Sequence, residues 1–189
     1  MATRTFLALD LDEPIRRRLA DAAGQLSQPG DKIRWVAPQN LHVTLKFLGD
    51  VGDDNLAGVC QAVRDAAGTV EPFDFDVTGL CCIPPGGAVR MVWAQLADAT
   101  GRLAVLFARA DAALGEIGFA RERRAFRPHV TVGRVKFAPN AAALRAAAKD
   151  LAPAAFGTQH AGRVAVYRSE LTRDGPTYTP LTHAPLAAT

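Results

Sequence analysis

At 189 residues the chain has room for one domain with a sizeable core and little room for two. It is 49% apolar and 22% charged, the balance of an ordinary globular protein, which argues against disordered, fibrous or disulfide-scaffold classes. No stretch approaches the ~20 apolar residues of a membrane span, and a net charge of +3 permits an anionic partner without requiring one.

The opening "MATRTFLALDLDEP" has too short an apolar run for a signal peptide, so the cytoplasm is the expected compartment. Cys60, Cys81 and Cys82 follow no metal or redox spacing and read as buried free thiols. Thr3–Leu11 alternates and reads as a strand. A helix is expected from Glu13 to about Leu26, with Pro14 in its first turn. "QPGDK" reads as a turn and "IRWV" as a short strand ended by Pro38. Leu41–Leu48 is the next strand, and a helix runs from Asp53, as N-cap, to Ala67, with Gly68 as its stop. Phe73–Ile83 and "VRMVWAQL" form a hairpin around "PPGG". A third helix spans about Thr100–Ile117, followed by an arginine-rich loop, a strand at His129–Lys136, a short helix at Asn140–Asp150 and a break at Pro153. Arg163–Leu171 and Thr177–Leu181 are a final strand pair across a "TRDGP" turn. Helices alternating with strand pairs predict an α+β fold, with antiparallel sheets and the helices on one face.

Two of these strands carry the same phrase: "LHVTLKF" around His42 and "PHVTVGR" around His129, nearly half the chain apart. The spacing suggests two similar lobes. Residues i and i+2 of a strand share a face, so His42 sits with Thr44, and His129 with Thr131, while Val43, Leu45, Val130 and Val132 point into a core. Two imidazoles and two hydroxyls across a groove suit a phosphodiester. One neutral histidine takes a proton from water and the other, protonated, gives one to the leaving oxygen. Each positioned transfer is worth about 10²–10⁴ in rate. The hydroxyls can donate to non-bridging phosphate oxygens, and an arginine can neutralise growing charge. Metal binding ranks low, because no third ligand accompanies either His-x-Thr. His160 and His183 lack such surroundings and read as structural.

The phrases "RWVAPQNLHVTLKFLGDV", "FRPHVTVGR" and "VYRSEL…GPTYTPL" resemble the RNA 2',3'-cyclic phosphodiesterases, also called 2'-5' RNA ligases, of the two-histidine phosphoesterase superfamily. The resemblance covers most of the chain. It implies a single bilobal domain over residues 1–189, with two pseudo-symmetric α+β lobes facing a central cleft. The implied activity is hydrolysis of an RNA 2',3'-cyclic phosphate end to a 2'-phosphate, with ATP-independent 2'-5' ligation as the related reverse chemistry. No cofactor is expected, RNA ends or cyclic nucleotides are the expected partners, and the chain is expected to be a monomer.

Carried over by residue, His42 is the general acid on the leaving 3'-oxygen, His129 the general base on water, and Thr44 and Thr131 bind phosphate; near-symmetry leaves the acid and base roles interchangeable. Arg134 matches the family's phosphate-binding arginine. Simple alternation puts it on the wrong face, so either Gly133 allows a bulge or the strand ends there. Lys46, as i+4 from His42, shares the catalytic face or lines its rim. Arg121, Arg123, Arg124 and Arg127 crowd the second motif. Trp35, Phe47 and Phe126 are candidates for base stacking or for core packing. Two other readings stay open: a non-catalytic RNA-end binding module, and a phosphodiesterase of small cyclic phosphates from tRNA processing.

Overall fold

The computed structural model describes residues 2–27, 29–173 and 175–188. In chain order the elements are β1 (Ala2–Asp10), α1 (Glu13–Leu26), β2 (Lys32–Trp35), a 3₁₀ turn (Pro38–Asn40), β3 (His42–Gly52), α2 (Asp53–Ala67), β4 (Phe73–Ile83) and β5 (Met91–Ala97). Then follow α3 (Arg102–Glu116), β6 (His129–Phe137), α4 (Ala141–Asp150), β7 (Ala155–Ala161), β8 (Arg163–Thr172) and β9 (Gly175–Pro185). The fold is α+β, as expected. Among the described residues the strands form one hydrogen-bonded path, β7-β4-β5-β6-β3-β1-β8-β9, with β2 on β6 and every pairing antiparallel. The path narrows at β3–β6, where a single residue pair, Val43 and Val130, joins the two motif strands. Beyond that pair β3 diverges, and β2 takes the edge of β6 from Gly133 onward.

Alternation decides the two faces. Leu7, Leu9, Val43, Leu45, Val130 and Val132 are buried and join the helix residues Leu19, Leu26, Val59, Leu103 and Leu106 in one core cluster. In α1 the buried positions Ile15, Leu19, Ala22, Ala23 and Leu26 recur at helical spacing, the stripe that presses a helix onto a sheet. The α3 stripe, Leu103, Leu106, Ala110, Asp111 and Leu114, includes one carboxylate. The other face of the sheet carries the motif histidines and threonines.

Several elements differ from expectation, among them α2, β9 and β7. Gly52, not Asp53, is the N-cap of α2; Asp53 and Asp54 occupy the first turn, where acidic groups complement the exposed N–H groups. β9 extends well beyond Thr177–Leu181 because its ladder with β8 runs from Gly175 to Pro185. β7, "AFGTQHA", has no strand-like composition. It is a strand because β4 pairs with it from Phe73–Ala161 to Thr78–Ala155. Its Gln159 side chain accepts the Asp12 backbone N–H (2.7 Å) at the head of α1. The turns expected at 28–32 and 172–176 include Gln28 and Asp174, which lie outside the described residues.

Candidate active site

The pairing of Val43 with Val130 sets His42 beside Thr131 and Thr44 beside His129, all on the face opposite the core. The two histidines therefore stand on a diagonal of adjacent antiparallel strands, a separation of about 7–8 Å between backbones. They are neighbours within one strand path rather than groups on two opposed sheets. All four side chains are half-buried, with fully buried valines between them.

Both rings are held in the same way. The Nδ1 of His42 bonds the Asn40 carbonyl and that of His129 bonds the Arg127 carbonyl, each at 2.7 Å. A carbonyl only accepts, so each Nδ1 carries the hydrogen and each neutral Nε2 keeps its lone pair for the cleft. His42 Nε2 lies 3.0 Å from the Thr44 hydroxyl. Around His42 stand Phe6 (ring centroids 5.0 Å apart) and Tyr178 (5.4 Å, edge-on). His129 stacks on Trp93, centroids 3.6 Å apart and planes 17° apart.

Burial lowers the pKa of His42. The Asn40 carbonyl and Asp10 oppose that shift, and Arg134 and His129 reinforce it. Burial also lowers the pKa of His129, with the Arg127 carbonyl opposing and Arg134 reinforcing. One guanidinium, that of Arg134, thus acts on both imidazoles.

Gly133 explains how. The β5–β6 register skips a residue between Trp93–Thr131 and Val92–Gly133, leaving Val132 and Gly133 both buried and returning Arg134 to the cleft face, opposite Met91. Of the two alternatives for Arg134, the bulge is the one observed. A Cβ on Gly133 would lie 2.6 Å from the Trp35 ring, so glycine is also required for that packing.

A bulge on β3 acts in the opposite sense on Lys46. The β1–β3 register skips Leu45 between Ala8–Thr44 and Leu7–Lys46. Lys46 therefore turns away from the face that carries His42 and Thr44 and into the protein. There its ammonium pairs with Asp111 of α3 and donates to the Ala120 carbonyl (2.7 Å).

The sequence matches the family described as LigT like phosphoesterase over residues 9–93 and 96–178, one segment around each motif. The chain belongs to this family. This phosphoesterase is 36% identical over 179 residues to the RNA 2',3'-cyclic phosphodiesterase of Methanothermobacter thermautotrophicus, covering 95% of this chain and 96% of that one. It is 31% identical to the protein of the same name from Methanocaldococcus jannaschii, covering 93% and 96%. A crystal structure from Thermus thermophilus superposes with a TM-score of 0.81 at 28% identity, covering 97% of each chain.

The candidate site contains groups that the sequence did not single out. Asp10 is the β1 partner of His42 and accepts the Tyr167 hydroxyl at 2.6 Å. His183, read as structural, lies 3.8 Å from the other Asp10 oxygen. Both line a cavity of about 600 Å³ beside His42, with Arg16, Arg163, Tyr167 and Tyr178. Alternation in "FLALDL" puts Asp10 on the same face as Phe6 and Ala8, but only the register reveals its neighbour. Trp93 carried no sequence signal beyond its place in a strand. Of the stacking candidates, Trp35 packs on Gly133 and donates to Ser27 (3.0 Å), and Phe126 stacks on Phe107. Phe47 alone of the three is open, at 65% exposure. Among the described residues no group of three or more His, Cys, Asp or Glu could hold a metal ion. Nor, among the described residues, is any helix long and apolar enough to cross a membrane.

Proposed function

We propose that this phosphoesterase opens 2',3'-cyclic phosphates at RNA ends to 2'-phosphates, with its two motif histidines exchanging one proton each with substrate. The observation that carries this reading is the diagonal placement of the two histidines on one face, each ring oriented by the same kind of backbone bond at Nδ1. The name shared by the relatives at 36% and 31% identity supports the substrate class.

In the proposed reaction His129 Nε2 takes a proton from water as the water oxygen bonds to phosphorus. The bond from phosphorus to O3' breaks, and His42 Nε2–H protonates the departing O3'. The product keeps phosphate on O2', and the proton gained by His129 offsets the one lost by His42. Burial lowers the His42 pKa overall; Asp10 is the carboxylate beside that ring which works against the shift, and this neighbour assigns the acid role to His42 in the proposal. Thr44 and Thr131 donate to the non-bridging oxygens, and Arg134 neutralises charge that grows on them. These groups supply proton transfer and charge without a metal. A 5'-hydroxyl in place of the water gives 2'-5' ligation without ATP, since the cyclic phosphate is itself the activated group.

The test is product identity from a cyclic-phosphate-ended oligonucleotide in the presence of chelator. A 2'-phosphate is expected, and His42→Ala and His129→Ala should each lower kcat about 10²–10⁴-fold. Near-normal rates in both variants would overturn the proposal. RNA binding without any turnover by the unaltered protein would mark a binding module instead.

A further inference from the structure

The segment between α3 and β6 has no regular structure, yet it is pinned along its length. At its start, the buried Lys46–Asp111 pair holds two of its backbone groups. Lys46 donates to the Ala120 carbonyl (2.7 Å), and Asp111 accepts the Glu122 N–H (3.1 Å). Further on, Phe126 lies flat on Phe107 of α3, centroids 4.3 Å apart and planes 2° apart. At its end, the Arg127 carbonyl holds the ring of His129. Between the first two pins the chain forms a short arch whose crest is Arg123 and Arg124, both exposed.

The one acid on this arch, Glu122, is exposed, and its carboxylate folds onto the backbone of the bend. The Glu122 carboxylate accepts the backbone N–H groups of Arg123 (2.9 Å) and Arg124 (3.0 Å), so it stabilises the bend. Among the described residues the Arg123 guanidinium has no hydrogen bond or ion pair.

We propose that this arch is a preformed phosphate rail for the RNA chain that leads to the reacting end. The proposal rests on the catalytic reading above and extends it from a terminal phosphate to the nucleotides before it. A flexible basic loop would lose its conformational freedom on binding, whereas a pinned one has already been ordered by folding. The polyanion is covalently continuous with the phosphate at His129, and the arch begins within a few residues of that histidine. The opposite end of the site suits a charged chain less well, because Asp10, Asp12 and Glu13 line the cavity there alongside Arg16 and Arg163. An acidic protein would match the charge but has no reason to be anchored at the catalytic histidine.

The test compares the unaltered protein with R123A/R124A and R123K/R124K. Binding of a labelled single-stranded RNA with a 3'-hydroxyl is followed by fluorescence anisotropy across a salt series. For single strands each phosphate contact contributes a slope of about −0.7 in log affinity against log salt. The alanine variant should lower the magnitude of the slope by about 1 to 1.5 and weaken binding about tenfold at low salt, with the lysine variant restoring most of both. The preference in kcat/KM for a cyclic-phosphate-ended oligonucleotide over a cyclic mononucleotide should fall with it. Unchanged affinity and slope in the alanine variant, or equal competition by polyglutamate, would overturn the rail. If the unaltered protein turned over neither substrate, the catalytic reading would fail by itself; the anisotropy series would still decide whether the arch binds RNA.

Discussion

Val43 and Val130 are the only paired residues joining β3 to β6 among the described residues, and through them the two halves of the strand path present both His-x-Thr motifs on one face. The pair is buried completely. Its side chains anchor both strands in the core while their neighbours, His42, Thr44, His129 and Thr131, face the other way.

The pKa shifts give the pH dependence a sign. Both imidazoles are depressed, so the state with one shared proton is populated below the ordinary histidine value of about 6.5. The kcat/KM profile is therefore expected to be a bell with its optimum on the acid side of that value. Asp10→Asn removes a group that supports the proton on His42 and should move the alkaline limb to lower pH. Arg134→Gln removes a group that opposes the proton on both rings and should move the limb to higher pH while raising KM. An alkaline limb unmoved in D10N would refute the acid assignment of His42.

Trp93 is a positioning residue for His129, because its indole supports the imidazole face to face. Trp93→Leu keeps an apolar side chain but loses the flat support. It should lower kcat about 10- to 100-fold with little change in KM, the mark of a misaimed ring rather than lost binding.

Gly133→Ala should harm both stability and phosphate recognition. The added methyl meets the Trp35 ring at 2.6 Å, an overpacking that costs about 1–3 kcal/mol and is read as a fall in Tm. Relief of the clash shifts the bulge that aims Arg134, so KM should rise as well. A variant with normal Tm and raised KM would separate the two effects.

Lys46→Met leaves the Asp111 carboxylate buried without its partner, which should cost about 3–5 kcal/mol in urea unfolding. The double variant K46M/D111L should recover most of that loss. Burial pushes the Asp111 carboxyl up, but the hydrogen bond from Lys46, the Glu122 N–H and the Lys46 charge outweigh it and hold it below its ordinary value. Its stabilising contribution is therefore full above the unfolded carboxyl value and is lost as pH falls through the lower folded one. Acidification through that window should destabilise the unaltered protein more than the double variant.

Periodicity and repetition made much of this protein legible in one dimension. The period-two alternation of "HVTL" and "HVTV" already separates the imidazole and hydroxyl face from the valine face, because side-chain direction in a strand is a local property. The helices were legible for the same reason, their stripes being set by local geometry. Register is not local. Arg134 reaches the site and Lys46 leaves it through single-residue bulges, and a bulge forms where a neighbouring strand and the packing around it require one; Trp35 pressing on Gly133 is such a requirement. The placing of Asp10 beside His42 and of Trp93 beneath His129, and the strand formed by 155–161, depend likewise on partners far along the chain. The sequence by itself determined which groups could do the chemistry. Only the tertiary structure decided which of them meet, because pairing distant strands is a collective result of burying one core.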